Sequence, residues 1–183
     1  MVEVVNIVAS GNFGRELDLH ALSADLDVPS SEYDPEQFSG LQVRFEHVKG
    51  VILLYSTGSY SVMGAQTEVD VNDLYDSTVT ALDELGVDAT DSSQRPEIRN
   101  LICKGDIERE LYLSTLTIAL GAERVEYEPE QSPFVYYWPD EPSCLITIST
   151  NGEIIITGVE TVDAAEEAFE HLRTRVNQLP SGN

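Results

Sequence analysis

The sequence repeats itself without gaps at an offset of 94 residues, the distance from Glu3 to Glu97. The matching segments include Glu3-Val4-Val5-Asn6-Ile7-Val8 with Glu97-Ile98-Arg99-Asn100-Leu101-Ile102, and Tyr33-Asp34-Pro35-Glu36-Gln37 with Tyr127-Glu128-Pro129-Glu130-Gln131. A match this long in one register indicates a tandem duplication of a unit of about 90 residues. We therefore expect two similar repeats, residues 1–94 and 95–183, that meet at a polar junction near Thr90–Gln94 and together form one domain.

Each repeat has the pattern of a β-α-β-β-β-α unit. In the first repeat an amphipathic helix with Leu19, Leu22 and Leu26 follows the first strand, and Ser56-Thr57-Gly58 forms a hairpin turn. The predicted strands are 3–9, 41–47, 51–56 and 60–64, and a long helix spans about 68–85, with its counterpart at 162–178. Antiparallel sheets with helices on one face leave the other face open. The sequence therefore predicts an α+β protein whose tandem repeat forms a pseudo-twofold, curved antiparallel sheet.

The chain is very acidic but has enough apolar residues to fold. It carries 33 Asp and Glu against 10 Lys and Arg, a formal net charge of −23, while 42% of its residues are hydrophobic. Acidic chains are disordered when their apolar content is also low, which is not the case here. No apolar run approaches the roughly 20 residues that span a bilayer, and Met1-Val2-Glu3 lacks the basic region of a secretory signal. We expect a folded protein of the cytoplasm with no membrane partner.

Metal and enzyme chemistry find little support in the sequence. The two cysteines, Cys103 and Cys144, lie in apolar strand-like segments, and neither they nor the three scattered histidines have zinc-ligand spacing. We predict that both cysteines are buried apolar side chains. A Gly-rich phosphate loop, a nucleophile elbow and a metal triad are all missing. We therefore predict a protein that is not an enzyme and needs no cofactor or metal.

Four motifs and their counterparts 94 residues later resemble the archaeal TATA-box-binding protein family. They are Asn-Ile-Val-Ala-Ser at 6–10, Tyr-Asp-Pro-Glu-Gln-Phe-Ser-Gly at 33–40, Leu-Tyr-Ser-Thr-Gly at 54–58 and Met-Gly-Ala at 63–65. The resemblance covers about residues 3 to 178. It implies a saddle-shaped general transcription factor whose concave sheet binds and bends the minor groove of A·T-rich promoter DNA. Helices on the convex face would meet partner factors, and transcription factor B would lead to RNA polymerase.

The resemblance also implies which residues contact DNA. Asn6 and Asn100 would donate to minor-groove acceptors, Val8 and Ile102 would touch the groove floor, and Phe38 and Tyr55 would wedge base steps apart. Arg44 and Lys49 match phosphate-binding cations, and the DNA-facing set further includes Met63 and Thr157. The alternatives are that the asparagines bond strand-end backbone and that the two aromatic residues belong to the core.

The second repeat departs from the family on this same surface. The wedge positions carry Ser132 and Ser149, and the cation positions carry Trp138 and Ser143. One hypothesis is that the protein bends DNA asymmetrically, with a shift of the loop that lets Phe134 replace the lost wedge. The other is that the chain is a divergent regulatory relative that acts mainly through protein contacts and binds DNA weakly.

Two acidic residues of the second repeat match the loop through which the family engages transcription factor B. They are Glu128 and Glu130, on either side of Pro129. Acidic side chains suit a basic partner surface. The alternative is that both are solvated loop acids without a partner.

Net charge at first argues against nucleic acid, because phosphate binding usually rests on a basic patch. Residues 1–94 hold 17 acids against 3 Lys and Arg, and residues 95–183 hold 16 against 7. The repeat with the better DNA-binding residues is therefore the more acidic one, so bulk charge does not locate the binding surface. Acid spread over helices suits concentrated salt, where charge repulsion is screened within about 3 Å at 1 M. The sequence therefore predicts a halophilic archaeal host.

Overall fold

Ten strands and four α-helices make up residues 1–89 and 95–179, the part of the chain that this computed structural model describes. The chain divides into two compact units. We call Asn6–Arg99 the N-terminal unit, and Met1–Val5 with Asn100–Asn183 the C-terminal unit. The predicted junction near Thr90–Gln94 lies outside the described residues.

The N-terminal unit contains one antiparallel sheet and two helices. Its elements are β1 (Glu3–Asn12, with Glu3–Val5 counted in the other unit), α1 (Leu19–Asp25), β2 (Ser30–Glu32), β3 (Leu41–Arg44), β4 (Val51–Leu54), β5 (Ser59–Ala65) and α2 (Glu68–Glu84). The strand order is β2-β3-β4-β5-β1, and every pairing is antiparallel.

The C-terminal unit repeats this arrangement. Its elements are β6 (Glu97–Asp106, with Glu97–Arg99 counted in the other unit), α3 (Leu113–Leu120), β7 (Val125–Glu126), β8 (Val135–Tyr137), β9 (Leu145–Ile148), β10 (Glu153–Val159) and α4 (Val162–Asn177). The order β6-β10-β9-β8-β7 mirrors the N-terminal unit, again with antiparallel pairs.

Matched threonines begin the two long helices. The Thr67 side chain accepts a hydrogen bond from the Asp70 backbone N–H at 3.0 Å, and the Asp70 carboxylate accepts one from the Thr67 N–H, which completes a capping box. Thr161 accepts from the Ala164 N–H at 3.2 Å. Each cap satisfies backbone donors that an uncapped helix would leave unpaired, so the repeat preserves the start of both helices.

Each long helix packs its apolar face onto one side of its sheet. The predicted α2 residues, Val71, Leu74, Tyr75, Thr78 and Leu82, are all buried, and so are the α4 residues Ala165, Ala168, Phe169, Leu172 and Val176. Alternate strand residues, such as Ile7 and Ala9 in β1 and Leu101 and Cys103 in β6, are buried on this side. None of the described helices packs on the other side of either sheet, and we call that side the open face.

The structure corrects the sequence prediction at the sheet edges. The short strands β2 and β7 were not predicted, because three exposed residues and two residues give no readable alternation. β3 ends at Arg44 rather than at residue 47, since the chain turns where the Val48 N–H bonds the Phe45 carbonyl. Cys103 and Cys144 are buried free thiols, as predicted, and burial raises the pKa of Cys144 to about 11. In the described residues, no helix is long and apolar enough to cross a membrane.

Candidate nucleic-acid interface

The open face of the N-terminal unit contains a shallow groove of about 560 Å³. Four predicted site residues line it together: Asn6, Phe38, Arg44 and Met63. The other lining residues are Gln42, Gly50, Val51, Leu53 and Gly64, which the sequence analysis did not nominate for the site. A usable signal was present for Gln42, because period-two alternation along β3 places it on the same face as Arg44. In this described groove, Arg44 is the only charged lining residue, so the surface is mainly apolar and amide-bearing.

Asn6 is held by a glycine bulge on the neighbouring strand. The register between β1 and β5 shifts between Ile7 and Ala9, and Gly64 has φ +78° at the irregularity. The backbone N–H of Gly64 donates to the Asn6 Oδ1 at 2.7 Å. Because an N–H can only donate, the carboxamide oxygen must face it, and the Asn6 NH₂ group finds no acceptor within the described residues. The hydrogen bond between an asparagine and the strand backbone, given above as the alternative to DNA contact, is therefore present. It leaves the two N–H donors of the Asn6 amide available to a ligand.

Asn100 repeats this geometry in the C-terminal unit. The Gly158 N–H donates to the Asn100 Oδ1 at 2.8 Å, Gly158 has φ +91°, and the register between β6 and β10 shifts at the matching place. A positive φ is costly for residues with a Cβ, so glycine allows the backbone to adopt this bulge. Both units thus present an asparagine amide in one fixed orientation.

The aromatic pair of the N-terminal unit is held at the edge of its groove. The Phe38 and Tyr55 rings meet edge to face, with centroids 6.1 Å apart and planes at 66°. Phe38 is 37% exposed, which places it outside the core, and Tyr55 is half-buried. Gly40 makes room for the pair, since a Cβ there would lie 2.6 Å from the Phe38 ring. The ring of Phe38 therefore occupies space that a side chain at position 40 would fill.

The C-terminal unit carries different residues at the positions that match Phe38 and Gly40. Phe134 stands at the position that matches Gly40, while Ser132 replaces Phe38. The Ser132 hydroxyl lies 3.2 Å from the Tyr136 hydroxyl, and Phe134 is 39% exposed. Phe134 therefore presents an exposed aromatic ring two residues beyond the position that matches Phe38.

The second wedge position has lost its aromatic side chain. The Ser149 Oγ donates to the Glu153 carbonyl at 2.8 Å, so this hydroxyl serves the turn between β9 and β10. At the two wedge positions the C-terminal unit therefore carries serines, while its exposed rings near this edge are Phe134 and Trp138, the latter at the position that matches Arg44.

The open face of the C-terminal unit carries an ion pair beside its apolar residues. Ile102 and Thr157 are registered partners on β6 and β10, and exposed Ile155 is a neighbour on β10. The Lys104 Nζ lies 2.5 Å from a Glu153 carboxylate oxygen. The hydrogen bond from Lys104 lowers the pKa of Glu153, and the same bond raises the pKa of Lys104. Both groups stay charged around neutral pH, and the Glu153 carboxylate offsets the positive charge of Lys104.

The remaining predicted residues lie around these surfaces. Val8 is half-buried on the open face, whereas Lys49 donates to the Gln66 Oε1 at 2.9 Å and does not line the groove. Glu128 and Glu130 are exposed in the loop between β7 and β8. The Glu128 carbonyl accepts from the Ser132 N–H at 2.9 Å, so the backbone of the loop is ordered by its own bonds. No group of three His, Cys, Asp or Glu side chains among the described residues is arranged to hold a metal.

Comparisons with known proteins agree with the duplicated architecture. The sequence model of the family described as "Transcription factor TFIID (or TATA-binding protein, TBP)" matches residues 1–85 and 95–179. TATA-box-binding protein C of Halobacterium salinarum is 36% identical over 178 residues, covering 97% of this chain and 98% of the relative. TATA-box-binding protein 2 of Haloferax volcanii is 38% identical over 180 residues, 97% of this chain and 94% of the relative. The solved structure of Methanococcus jannaschii TBP aligns with a TM-score of 0.83 at 28% identity, covering 97% and 99% of the two chains.

Proposed function

The chain belongs to the TATA-binding protein (TFIID) family, and from this premise we propose that it is an archaeal general transcription factor for A·T-rich promoter DNA. In this proposal it binds the minor groove, bends the duplex and recruits transcription factor B, which leads to RNA polymerase. The family is one of transcription factors rather than enzymes. The curated relatives at 36% and 38% identity come from halophilic archaea, which supports a salt-tolerant mode of binding.

The observation that carries the proposal is the matched pair of oriented asparagines. Glycine N–H groups hold the Asn6 and Asn100 oxygens, which directs the amide donors away from those bonds. The minor groove presents only acceptors at A·T pairs, namely adenine N3 and thymine O2, whereas a G·C pair adds a donor. Two fixed amide donors therefore suit A·T pairs. Apolar Val8, Ile102 and Met63 on the same faces suit the groove floor.

We further propose that the bend is asymmetric. Apolar wedges unstack base steps and kink DNA. The N-terminal unit presents Phe38 in contact with Tyr55, whereas among the described residues Phe134 contacts no second ring and the exposed Trp138 stands at the position of Arg44. The larger kink is therefore assigned to the end of the site that meets the N-terminal unit.

Glu128 and Glu130 support the assignment of transcription factor B as the partner. Both are exposed on a loop whose backbone is ordered by the Ser132 bond to Glu128, which leaves the carboxylates on a formed surface. Acidic side chains on such a loop complement a basic partner groove. In the assay below, transcription factor B is expected to retard the complex with DNA further.

The proposal is tested by gel retention of a TATA-containing duplex in molar potassium chloride. The double variant Asn6→Asp, Asn100→Asp keeps an acceptor for each glycine N–H but replaces the amide donors with a charge that minor-groove acceptors repel. We expect an affinity loss of at least about 100-fold, equivalent to roughly 2.7 kcal/mol. The parent should also prefer the TATA duplex over a G·C-rich one.

Asn12→Asp is the matched control. Asn12 lies on the same strand, and its Oδ1 also accepts from a glycine N–H, that of Gly14, at 2.6 Å. The second repeat already has Asp106 at the matching position, where its carboxylate bonds the Glu108 N–H. Asn12→Asp should therefore leave DNA affinity within about threefold. Equal retention of both duplexes, or equal effects of the variants, would contradict the proposal and favour the regulatory alternative.

A further inference from the structure

The open face of the C-terminal unit carries three aromatic side chains in line along β8. Val135 and Tyr137 are buried on the side of the sheet where the helices pack, so strand alternation places Tyr136 on the open face. Phe134 precedes the strand and Trp138 follows it in the same alternation, and these two side chains are 39% and 42% exposed. We call Phe134, Tyr136 and Trp138 the aromatic column.

The N-terminal unit has no such column. The matching positions along β3 are Gly40, Gln42 and Arg44, none of which is aromatic. Aromatic residues make up 8% of the chain, so three of them at three successive positions of one strand face do not follow from composition. The column is therefore a feature of one unit, and the scaffold that both units share does not require it.

The side chains that flank the column are small. Thr147 on β9 is the registered partner of Tyr136, and it stands where the N-terminal unit has Leu53. Ser132 and Ser149 occupy the positions of the two wedge aromatics, and the Ser132 hydroxyl lies 3.2 Å from the Tyr136 hydroxyl. In the described part of the chain, no column ring contacts another ring. The column therefore stands beside small side chains, which leaves room for a planar ligand.

The spacing of the column favours unpaired bases. Alternate residues of a strand lie about 6.4–6.8 Å apart, whereas successive bases of a duplex follow one another at about 3.4 Å. The minor groove of an intact duplex also presents the edges of its bases and not their faces. An unpaired strand can separate its bases and lay each face on a ring, as in sites that bind single strands without reading their sequence.

A cation lies one strand beyond the column. The Trp138 N–H donates to the Arg124 carbonyl at 3.0 Å, which continues the pairing of β7 with β8 by one residue. In the N-terminal unit the same two positions are Arg44 and Ser30, which are registered partners on β3 and β2. The C-terminal unit thus carries its cation one strand further out, by about 4.8 Å, and has an indole where the other unit has the cation.

This cation can reach a phosphate of a strand whose bases lie on the column. The Arg124 guanidinium pairs with Asp140, and both side chains are exposed. Exposed ion pairs are weak, so a phosphate can replace the Asp140 carboxylate. Glu126, the registered partner of Tyr136, is exposed and offsets the charge of Arg124. Stacking on the rings therefore has to provide most of the affinity, which suits binding in concentrated salt.

We propose that the aromatic column is a second nucleic-acid site, which binds single-stranded DNA by stacking unpaired bases on its rings, with Arg124 at a phosphate. The column lies on the open face that also carries Asn100 and Ile102, so it is continuous with the proposed duplex site. It uses neither of the two oriented asparagines. Binding of a single strand and preference for a TATA duplex are therefore separate properties, and either can fail without the other.

The test uses the fluorescence of Trp138, the only tryptophan in the sequence. A short oligothymidine, which forms no duplex with itself, is titrated into the full-length protein in molar potassium chloride. A base stacked on the indole should quench its emission in a saturable way. A strand of the same length with abasic sites throughout is the control, and it should leave the emission unchanged because it has phosphates but no bases.

Tyr136→Gln tests the stacking and keeps the fluorescent reporter. It installs the residue that the N-terminal unit carries at Gln42, so the strand is expected to fold as before. Affinity for oligothymidine should fall about 5–100-fold, the range expected for the loss of one stacked base. The control Tyr112→Gln, which removes an exposed ring from the N-cap of α3, should change affinity less than twofold.

Arg124→Ser tests the phosphate contact, and it installs the residue of the matching position, Ser30. The slope of log K against log salt should become shallower by about 0.7, the value for one phosphate of a single strand. Arg173→Ser on α4 should leave the slope unchanged. An unchanged slope in Arg124→Ser would overturn the phosphate assignment.

Three results would overturn the site itself. They are equal quenching by the abasic strand, equal affinities of Tyr136→Gln and Tyr112→Gln, and quenching by a TATA duplex but not by the single strand. Tighter binding of the RNA strand of the same sequence would overturn the assignment to DNA.

Discussion

The two units of this protein share a backbone but differ in what they present on it. The features that match are those that the backbone needs: the bulge glycines Gly64 and Gly158, the helix-capping threonines, and an asparagine at each bulge. The features that differ are exposed side chains. A position that fixes backbone geometry tolerates few replacements, whereas an exposed position is free to change. The duplication thus preserves the scaffold and lets each surface acquire its own chemistry.

The open faces show this divergence most clearly. The N-terminal unit has serines at Ser10 and Ser59, and the C-terminal unit has the Lys104–Glu153 ion pair at the matching positions. The positions of the aromatic pair Phe38–Tyr55 carry Ser132 and Ser149, and the exposed Phe134 stands two residues beyond the first of them. The comparison shows an aromatic pair on one unit and, at the matching positions of the other unit, serines together with an ion pair that offsets the charge of Lys104.

Among the differences between the two units, we expect the aromatic side chains to have the largest effect on DNA affinity. Phe38→Ala should weaken DNA binding about 10–100-fold, since aromatic contacts with bases contribute roughly 1–3 kcal/mol each. Phe134→Ala should cost less affinity, because among the described residues no second ring contacts Phe134 as Tyr55 contacts Phe38. Gel retention measures the affinities, and fluorescence energy transfer on an end-labelled A·T-rich duplex measures the bend.

A swap variant sharpens the same comparison. Ser132→Phe with Phe134→Gly installs the residues of the N-terminal unit at the positions that match Phe38 and Gly40 and should increase the kink at the second end. Tyr112→Ala, which removes an exposed aromatic ring from the N-cap of α3, serves as the control. Equal kinks at both ends of the parent complex, unaffected by Phe134→Ala, would refute the asymmetric bend.

A smaller effect is expected from the ion pair on the C-terminal open face. Glu153→Ser installs the residue of the N-terminal unit and releases Lys104 from its partner. If Lys104 then contacts a phosphate, affinity should rise several-fold in low salt, and the slope of log K against log salt should steepen by about 0.9. Glu167→Ser removes the same charge from the exposed side of α4 and should leave the slope unchanged. An unchanged slope in Glu153→Ser would show that Lys104 does not reach DNA.

The smallest effect concerns pH and the C-terminal core. The Tyr137 hydroxyl lies 2.9 Å from the His171 Nε2, and burial, aided by Arg175 and opposed by Asp140, lowers the pKa of His171. A lowered pKa favours the neutral ring in the folded state, so this stabilisation is present above the unfolded value of about 6.5 and is lost as pH falls through the folded value. Between pH 7.5 and 5 the melting temperature of the parent should fall by about 1–2 °C more than that of His171→Ser. His171→Ser installs the residue of the matching position, Ser77. The interpretation fails if both proteins show the same dependence on pH.

The sequence predicted the scaffold well, because its signals are local and periodic. The helical spacing of Val71, Leu74, Thr78 and Leu82 specified the buried face of α2, and alternation specified the strands. The sequence did not predict β2 and β7, because edge strands of two or three residues depend on a neighbouring strand for their pairing. The candidate site was only partly predictable. Asn6, Phe38, Arg44 and Met63 do line one groove, but Lys49 does not, and Gln42 and Leu53 were not nominated.

The sequence by itself determined the duplication, the order of the elements and the face that each helix buries, because these follow from repeat register and side-chain periodicity. Only the tertiary structure decided which side chains meet across strands that are far apart in the chain. It decided that Gly40 makes space for Phe38, that Glu153 pairs with Lys104, and that the Arg109 guanidinium donates to the Val176 carbonyl. These contacts depend on distances between elements, which no local pattern encodes. The physical difference between the two units therefore lies in the contacts that their exposed side chains make, on a scaffold that both inherited from the same sequence pattern.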